Sequence, residues 1–529
     1  MKFKVLIADK ISPEGDEVFR RFPEIEVDRK IGLSPKELLE IIDQYDGLVV
    51  RSATKVTAEV LENGKKLKVV GRGGIGVDNI DIQEATRRGI VVMNTPDSSA
   101  ITTAEHTWAL IMSMIRKIPQ ATQSMKEGKW EKSKLTGREI YGKTLGVIGL
   151  GNIGRRVALR GQAFGMKVVG YDPFMSEKKA KEMNIELMTS LDEFWPRIDI
   201  LTCHTPLTPE TRNLVNRSAM EKMKDGVFIV NCARGGIVSE EDLVWALKSG
   251  KVAGAAFDVF VEEPPQADHP LFQFPNFICT PHLGASTKEA QTSIAKAICE
   301  QIAVYLTKGE VRNSLNFPSI PAEMKDLLMP YLKLGERMGK MISQLASFSW
   351  EKLYIIYEGE IGKLSTTHVT LAIQKGLLER SHKGTLNYIN APLLLENKGI
   401  ETITRFQKSQ DFASAIQVVL KKGEESASIK GILAHNKDPR IVEVNDYPLE
   451  IRPEGYLLML QNLDVPGVIG NVGSLLGRKG INISHVQLGV HPKTHNAISF
   501  WGISQNLDEQ LLKEIEQMPN VLKARVIHL

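Results

Sequence analysis

Short apolar runs alternate with amphipathic stretches over the first hundred residues. Residues 4–9 (KVLIAD), 47–52 (GLVVRS), 67–74 (LKVVGRGG) and 90–94 (IVVMN) read as buried strands. Between them, residues 34–45 are amphipathic and open with Ser34-Pro35, an N-cap followed by proline at the first helical position. This alternation predicts a parallel sheet covered by helices on both faces. A second, stronger run extends from about Pro96 to Gly284, with strands expected at 144–150, 167–172, 198–204, 226–233, 252–259 and 277–282 and helical pattern between them. It predicts a doubly wound, dinucleotide-type domain.

The texture changes near Pro318 and Pro321, which bracket an expected boundary. Helical pattern at 325–344 and 367–380, with strand pattern at 353–361, 415–422 and 441–446, predicts a mixed α+β unit without a catalytic cluster. A last unit opens at Gly455. Strand 456–464, an apolar helix ending at Gly480, strands 481–490 and 496–504, helix 507–517 and strand 521–529 follow in the order β-α-β-β-α-β, a ferredoxin-like arrangement.

Length agrees with this division, since 529 residues at roughly 100–200 per domain predict about three to five domains. A hydrophobic share of 42% supplies several cores. Sixty-seven basic against sixty-three acidic residues leave a net charge of only +4, which disfavours a nucleic-acid partner. The longest apolar stretch, 101–115, is interrupted by Glu105 and His106 and is too short to span a membrane. The N-terminus reads as a first strand rather than a signal peptide. Four scattered cysteines, Cys203, Cys232, Cys279 and Cys299, form no C-x-x-C pair. They suit a reducing compartment, the cytoplasm by default, and neither a disulfide framework nor a metal is expected.

Candidate chemistry begins at Gly149-Leu150-Gly151-Asn152-Ile153-Gly154, between an expected strand and an expected helix. Gly149 would make the tight turn, Gly151 would admit a pyrophosphate to the backbone, and Gly154 would let helix and strand pack closely. The next strand ends at Asp172, where a carboxylate can accept from the adenosine ribose hydroxyls. That carboxylate favours NAD over NADP, although Lys178 and Lys179 lie nearby.

Three later strand ends deliver Arg234 (in NCARGG), Glu262-Glu263 (before Pro264) and His282 (in PHLG) toward the carboxyl edge of the sheet. Oxidation of a 2-hydroxy acid needs this set. A histidine takes the hydroxyl proton as hydride leaves the same carbon, and a carboxylate orients the imidazole and stabilises its cation. A guanidinium clamps the substrate carboxylate. Spacing alone leaves open which glutamate faces inward.

The segments GRGGIGVDNID, GLGNIG, NCARGGIV, FDVFVEEPP and PHLGAST resemble the D-isomer-specific 2-hydroxyacid dehydrogenase family, in its long-form, phosphoglycerate-oxidising branch. The resemblance covers essentially the whole chain. It implies Arg234, Glu263 and His282 as catalytic residues, and so selects between the glutamates. It adds Asn152, Ile153, Thr205, Cys232, Ala233, Asp258, Leu283, Gly284 and Ala285, with Arg234 and His282, to the cofactor-lining positions. A phosphorylated substrate, 3-phosphoglycerate or its product 3-phosphooxypyruvate, calls for further cations. Arg51 and Arg72, with neighbouring Ser52 and Gly73, are the expected phosphate contacts beside Arg234 and His282.

The resemblance also implies architecture and regulation. The apolar helix 288–306 and the strand-like SLNFP would return to the first sheet, so the expected domains are 1–96 with 286–317 (substrate), 97–285 (NAD), 318–452 (intervening) and 453–529 (an ACT-type regulatory module). Asn462, Asp464 and Asn482 are the expected contacts for an L-serine effector, and a homotetramer is implied. The alternatives are another D-2-hydroxyacid dehydrogenase, acting on hydroxypyruvate, glyoxylate or 2-oxoglutarate, and a non-enzymatic NAD-sensing scaffold.

Overall fold

The computed structural model describes residues 2–320, 322–364, 366–382, 384–409, 411–491, 494 and 496–529; Pro321 falls outside them. The first sheet holds β1 (Phe3–Ile7), β2 (Ile25–Arg29), β3 (Gly47–Val50), β4 (Val69–Arg72) and β5 (Val91–Met93) in the order β2-β1-β3-β4-β5. All neighbours are parallel, as strands joined by helical crossovers must be. The hydrophobic pattern misses β2, an edge strand in which only Ile25 is buried.

The long helix Lys288–Lys308 leaves the second sheet and lies on the first. Its Ala295, Ile298, Cys299, Ile302 and Leu306 share a core with Val5, Ile7, Val49, Val69 and Met93. Gly71 permits this approach, because a Cβ there would stand 2.5 Å from Ile302 and 2.8 Å from Ile298. The strand expected in SLNFP shrinks to one bridge between Met93 and Ser314. Beyond it the side chain of Asn316, not the backbone, accepts the Val92 amide at 2.9 Å, and the ladder stops.

The second sheet contains β6 (Thr144–Ile148), β7 (Lys167–Tyr171), β8 (Glu186–Leu187), β9 (Ile200–Cys203), β10 (Val227–Asn231), β11 (Val252–Phe257) and β12 (Phe277–Cys279). The order β12-β11-β10-β9-β6-β7-β8 reverses direction between β6 and β9, with every pairing parallel. A crevice opens at the carboxyl ends of strands at such a reversal, and that is where the glycine turn lies.

The third sheet, in the order β14-β13-β15-β16-β17-β18, comprises β13 (Lys352–Gly359), β14 (Glu401–Gln407), β15 (Ser414–Lys422), β16 (Glu425–Ala434), β17 (Asp438–Val444) and β18 (Tyr447–Ile451). Only its β13–β14 pairing is parallel. The fourth sheet comprises β19 (Tyr456–Leu463), β20 (Ile483–Val490), β21 (Asn496–Ile503) and β22 (Val521–His528) in the order β20-β21-β19-β22, the ferredoxin-like arrangement. One face packs on its own helices, Val468–Arg478 and Glu509–Glu516, through Val472, Leu475, Leu511 and Ile515. The other face, with Leu457, Met459, Phe500 and Ile527, shares a core with Met338, Ile342 and Ile355 of the preceding unit. Gln344 ties the two together, donating to the His528 carbonyl and accepting its amide at 3.0 Å each.

Among the described residues no helix is long and apolar enough to cross a membrane. Gly71→Ala, which wedges a methyl under Ile298 and Ile302, is expected to cost ~1–3 kcal/mol, read as a lowered midpoint of urea unfolding.

Candidate active site

The glycine turn has the geometry its sequence calls for. Gly149 has φ +85°, in the left-handed region that favours glycine. A Cβ at Gly149 would lie 2.7 Å from the His204 carbonyl oxygen, and one at Gly154 would lie 1.8 Å from the Gly149 carbonyl oxygen. At Gly151 it would meet nothing within 4 Å. Two glycines thus allow close packing, and the third faces open space at the N-terminus of helix Gly154–Ala163, where free amides favour a diphosphate.

Asp172, just past β7, accepts the Leu150 amide through Oδ2 and the Phe174 amide through Oδ1, both at 2.8 Å. Each oxygen keeps a lone pair for a ribose hydroxyl. Thr205 Oγ1, beside the turn, is buried without a hydrogen-bond partner among the described residues, unused capacity that a bound dinucleotide could satisfy. Asn152 donates to Asp97 at 2.8 Å, and Ile153 packs on the core beneath. Cys232 and Ala233 are buried, and burial pushes the Cys232 thiol up to about 12, which leaves it inert. This donor set fits NAD.

His282 and Glu263 meet at the carboxyl edge of the same sheet. Nδ1 of His282 lies 2.8 Å from Oε2 of Glu263. The carboxylate can only accept, so Nδ1 carries the proton and Nε2 is left free to take one. Burial alone would raise the Glu263 carboxyl, but the hydrogen bond from His282, its charge and the Phe260 amide hold it below the usual range. Glu262 and Glu263 are both exposed, and it is Glu263 that reaches His282.

His282 itself sits at φ +55°, strained for a residue with a Cβ. Asp258 holds it there. The His282 amide donates to the Asp258 carbonyl at 2.9 Å, while the Leu283 and Gly284 amides donate to its carboxylate at 2.7 and 2.8 Å. Asp258 is expected to line the cofactor, yet it is 1% exposed and engaged by the loop amides, Thr280 and His106. In the structure it clamps the histidine turn from behind. Although burial works the other way, these hydrogen bonds depress its pKa. Leu283 is exposed, Gly284 buried and Ala285 half-buried.

Three guanidiniums gather across the cleft. Arg234 donates through Nε to Asp78 at 2.9 Å and lies so close to Gly76 that a Cβ there would be 1.5 Å from its Nη2. Arg72 is pushed down to about 10, first by burial and then by the charges of Arg234 and Arg51, and its Nε has no partner among the described residues. Arg51 donates to Gln291 and, through its backbone, to Asp9. Ser52 is exposed beside it, and Gly73 is buried under Ile294. Clustered positive charge of this kind favours an anion.

Asp78, Gly76, Gln291 and His106 were not expected in this role. Asp78 and Gly76 lie inside the GRGGIGVDNID segment, but nothing in their spacing announces a partner 156 positions away. In the last unit, Asn462 is buried and turns its Nδ2 onto the Leu463 carbonyl at 2.7 Å, whereas Asp464 and Asn482 are exposed. Asn462 therefore faces inward rather than into solvent. Its Oδ1 has no partner among the described residues.

Comparison with known proteins places this geometry. The family described as "D-isomer specific 2-hydroxyacid dehydrogenase, NAD binding domain" matches residues 108–284, and "D-3-phosphoglycerate dehydrogenase intervening domain" matches residues 327–445. The chain is 41% identical over 526 residues to the D-3-phosphoglycerate dehydrogenase of Methanocaldococcus jannaschii, covering 99% of this chain and 100% of that one. It is 39% identical to the Bacillus subtilis enzyme of the same name, covering 100% of both. A solved structure from Thermus thermophilus superposes with TM-score 0.55 at 34% identity, over 59% of this chain and 100% of that one. The D-lactate dehydrogenase of Aquifex aeolicus, solved with NAD and lactic acid, gives TM-score 0.52 at 28% identity over 60% of this chain and 100% of that one. The chain belongs to the D-3-phosphoglycerate dehydrogenases, within the D-isomer-specific 2-hydroxyacid dehydrogenase family.

Proposed function

We propose that this chain oxidises 3-phospho-D-glycerate to 3-phosphooxypyruvate, the step that opens L-serine synthesis. The observation that carries the reading is the 2.8 Å His282–Glu263 contact, on the edge where Arg234 emerges. NAD, held by the glycine turn, Asp172 and Thr205, supplies the hydride acceptor. Nε2 of His282 takes the hydroxyl proton as the C2–H pair departs as hydride, and Glu263 stabilises the imidazolium that results. Arg234 holds the substrate carboxylate and polarises the neighbouring carbonyl in the reverse reaction. Arg51 and Arg72, with Ser52 and Gly73, bind the phosphate.

Residues 1–96 with 286–317 form the substrate domain in this reading, and 97–285 the NAD domain. Support comes from the core that helix Lys288–Lys308 shares with the first sheet. Residues 318–452 are the intervening domain. Residues 453–529 are the ACT-type module, with Asp464, Asn482 and a rotated Asn462 receiving L-serine. The enzyme acts as a homotetramer, to which the exposed apolar Leu463, Val465, Val486 and Leu488 lend surface. The four free cysteines suit the cytoplasm.

Three outcomes test this reading. His282→Ala is expected to lower kcat by ~10²–10⁴-fold in an NADH-formation assay, the usual share of a general base, while NAD affinity by fluorescence titration stays unchanged. Arg51→Ala is expected to raise KM for 3-phosphoglycerate by about 10- to 100-fold, the loss of a charged hydrogen bond. KM for unphosphorylated D-glycerate should barely move; equal rises would remove Arg51 from phosphate binding. Millimolar L-serine is expected to inhibit the wild-type enzyme and to lose its effect on an Asp464→Ala variant. Absence of inhibition in the wild type would leave the last unit a structural module.

A further inference from the structure

We infer that His106 is a positioning residue for the reaction: from one helix away, it fixes the carboxylate that holds the His282 turn in place. The inference rests on the dehydrogenase reading above. His106 belongs to helix Ala100–Ile115, where it and Glu105 interrupt the apolar pattern. Its Nε2 lies 3.1 Å from Asp258 Oδ1 and 3.0 Å from Thr280 Oγ1. The Thr280 hydroxyl directs its only hydrogen to Asp258, at 2.6 Å. Both neighbours of Nε2 are therefore acceptors, and Nε2 must carry a proton shared between them.

Asp258 is 1% exposed, so water cannot replace a lost donor. Its carboxylate receives four donors: His106, Thr280, and the amides of Leu283 and Gly284. The last two belong to the turn that keeps His282 at φ +55°. One helical turn before His106, the Thr103 hydroxyl shares its hydrogen between the Ser99 carbonyl at 3.0 Å and the Gly284 carbonyl at 3.1 Å. Helix Ala100–Ile115 thus grips the catalytic turn twice, once directly and once through Asp258. Removing the His106 donor leaves Oδ1 with only Thr280 and the Leu283 amide, and takes from the Thr280 hydroxyl the N–H that it accepts. The expected response is a shift of the carboxylate and of the turn it fastens. A displacement on the order of 1 Å at a reacting group can cost about a hundredfold in rate.

Three variants of the full-length chain test this. His106→Leu removes the donor, His106→Gln restores an N–H of similar reach, and His106→Asn, a methylene shorter, serves in place of leucine should that variant not fold. His106→Leu is expected to lower kcat by about 10- to 100-fold, and His106→Gln to recover most of the loss. Wild-type kcat in the leucine variant, or equal losses in leucine and glutamine variants, would overturn the inference. Hydrogen exchange, read by mass spectrometry on a peptide spanning 280–285, is independent of turnover. Faster exchange of the Leu283 and Gly284 amides in the leucine variant supports the role, and unchanged exchange refutes it. If the wild-type protein forms no NADH from 3-phosphoglycerate, the proposed activity fails, while the exchange result still decides the His106 contact.

Discussion

Strands β10, β11 and β12 run parallel and end together, with Asn231 beside Phe257 and Phe257 beside Cys279. Everything the site does depends on that common edge. Parallel pairing obliges each crossover to begin at the same end of the sheet, so the chain emerges there three times within some fifty residues. Each emergence brings one group: Arg234 after β10, Glu263 after β11, His282 after β12. A short side chain suffices to bridge neighbouring loops, and the His282–Glu263 hydrogen bond at 2.8 Å is the product of that register. Asp258 then converts an approximate meeting into a fixed one, because its carbonyl and carboxylate together bind three consecutive amides of the histidine turn.

The facing wall is electrostatic rather than geometric. Arg51, Arg72 and Arg234 come from two sheets, and their mutual repulsion is felt at the half-buried Arg72. Asp78 is the countercharge that spans the gap, reaching from the first sheet's loops to the guanidinium on the second. An ion pair with one partner this exposed adds little stability. Its effect is directional: Nε is held by Asp78 and Nη1 by the Ala233 carbonyl at 2.6 Å, which fixes the plane of the guanidinium. Gly76 makes the arrangement possible by having no side chain where the guanidinium lies.

The C-terminal half is built as one body. Its two sheets share a core, and Gln344 and Arg525 fasten the last strand to the end of helix Ala322–Leu345, Arg525 donating to the Leu345 carbonyl at 3.2 Å. That body touches the catalytic half at the first sheet's unit. Asn387 donates to the Gly89 carbonyl at 2.7 Å, and Ile389 enters the core of the first sheet.

Much of this was legible in one dimension. Buried parallel strands are continuously apolar, so β1, β3, β4, β5 and the central strands of the second sheet could be read directly, as could the glycine turn, whose three positions each answer a local steric demand. Strands without a continuous apolar run escaped. β2 and β8 are short or half-exposed, and β14, β16 and β18 carry alternating polar residues whose burial depends on what packs on them. Local pattern determined the architecture, the dinucleotide site and which strand ends would carry chemistry, because backbone geometry and hydrophobic period act over a few residues. Only tertiary structure showed Glu263 in contact with His282, Asp258 fastening the histidine turn, and Asp78 and His106 joining the site at all. Those choices rest on contacts between residues from 19 to 156 positions apart, where a side chain's role is set by the neighbour that folding brings to it and leaves no mark on the spacing of its own segment.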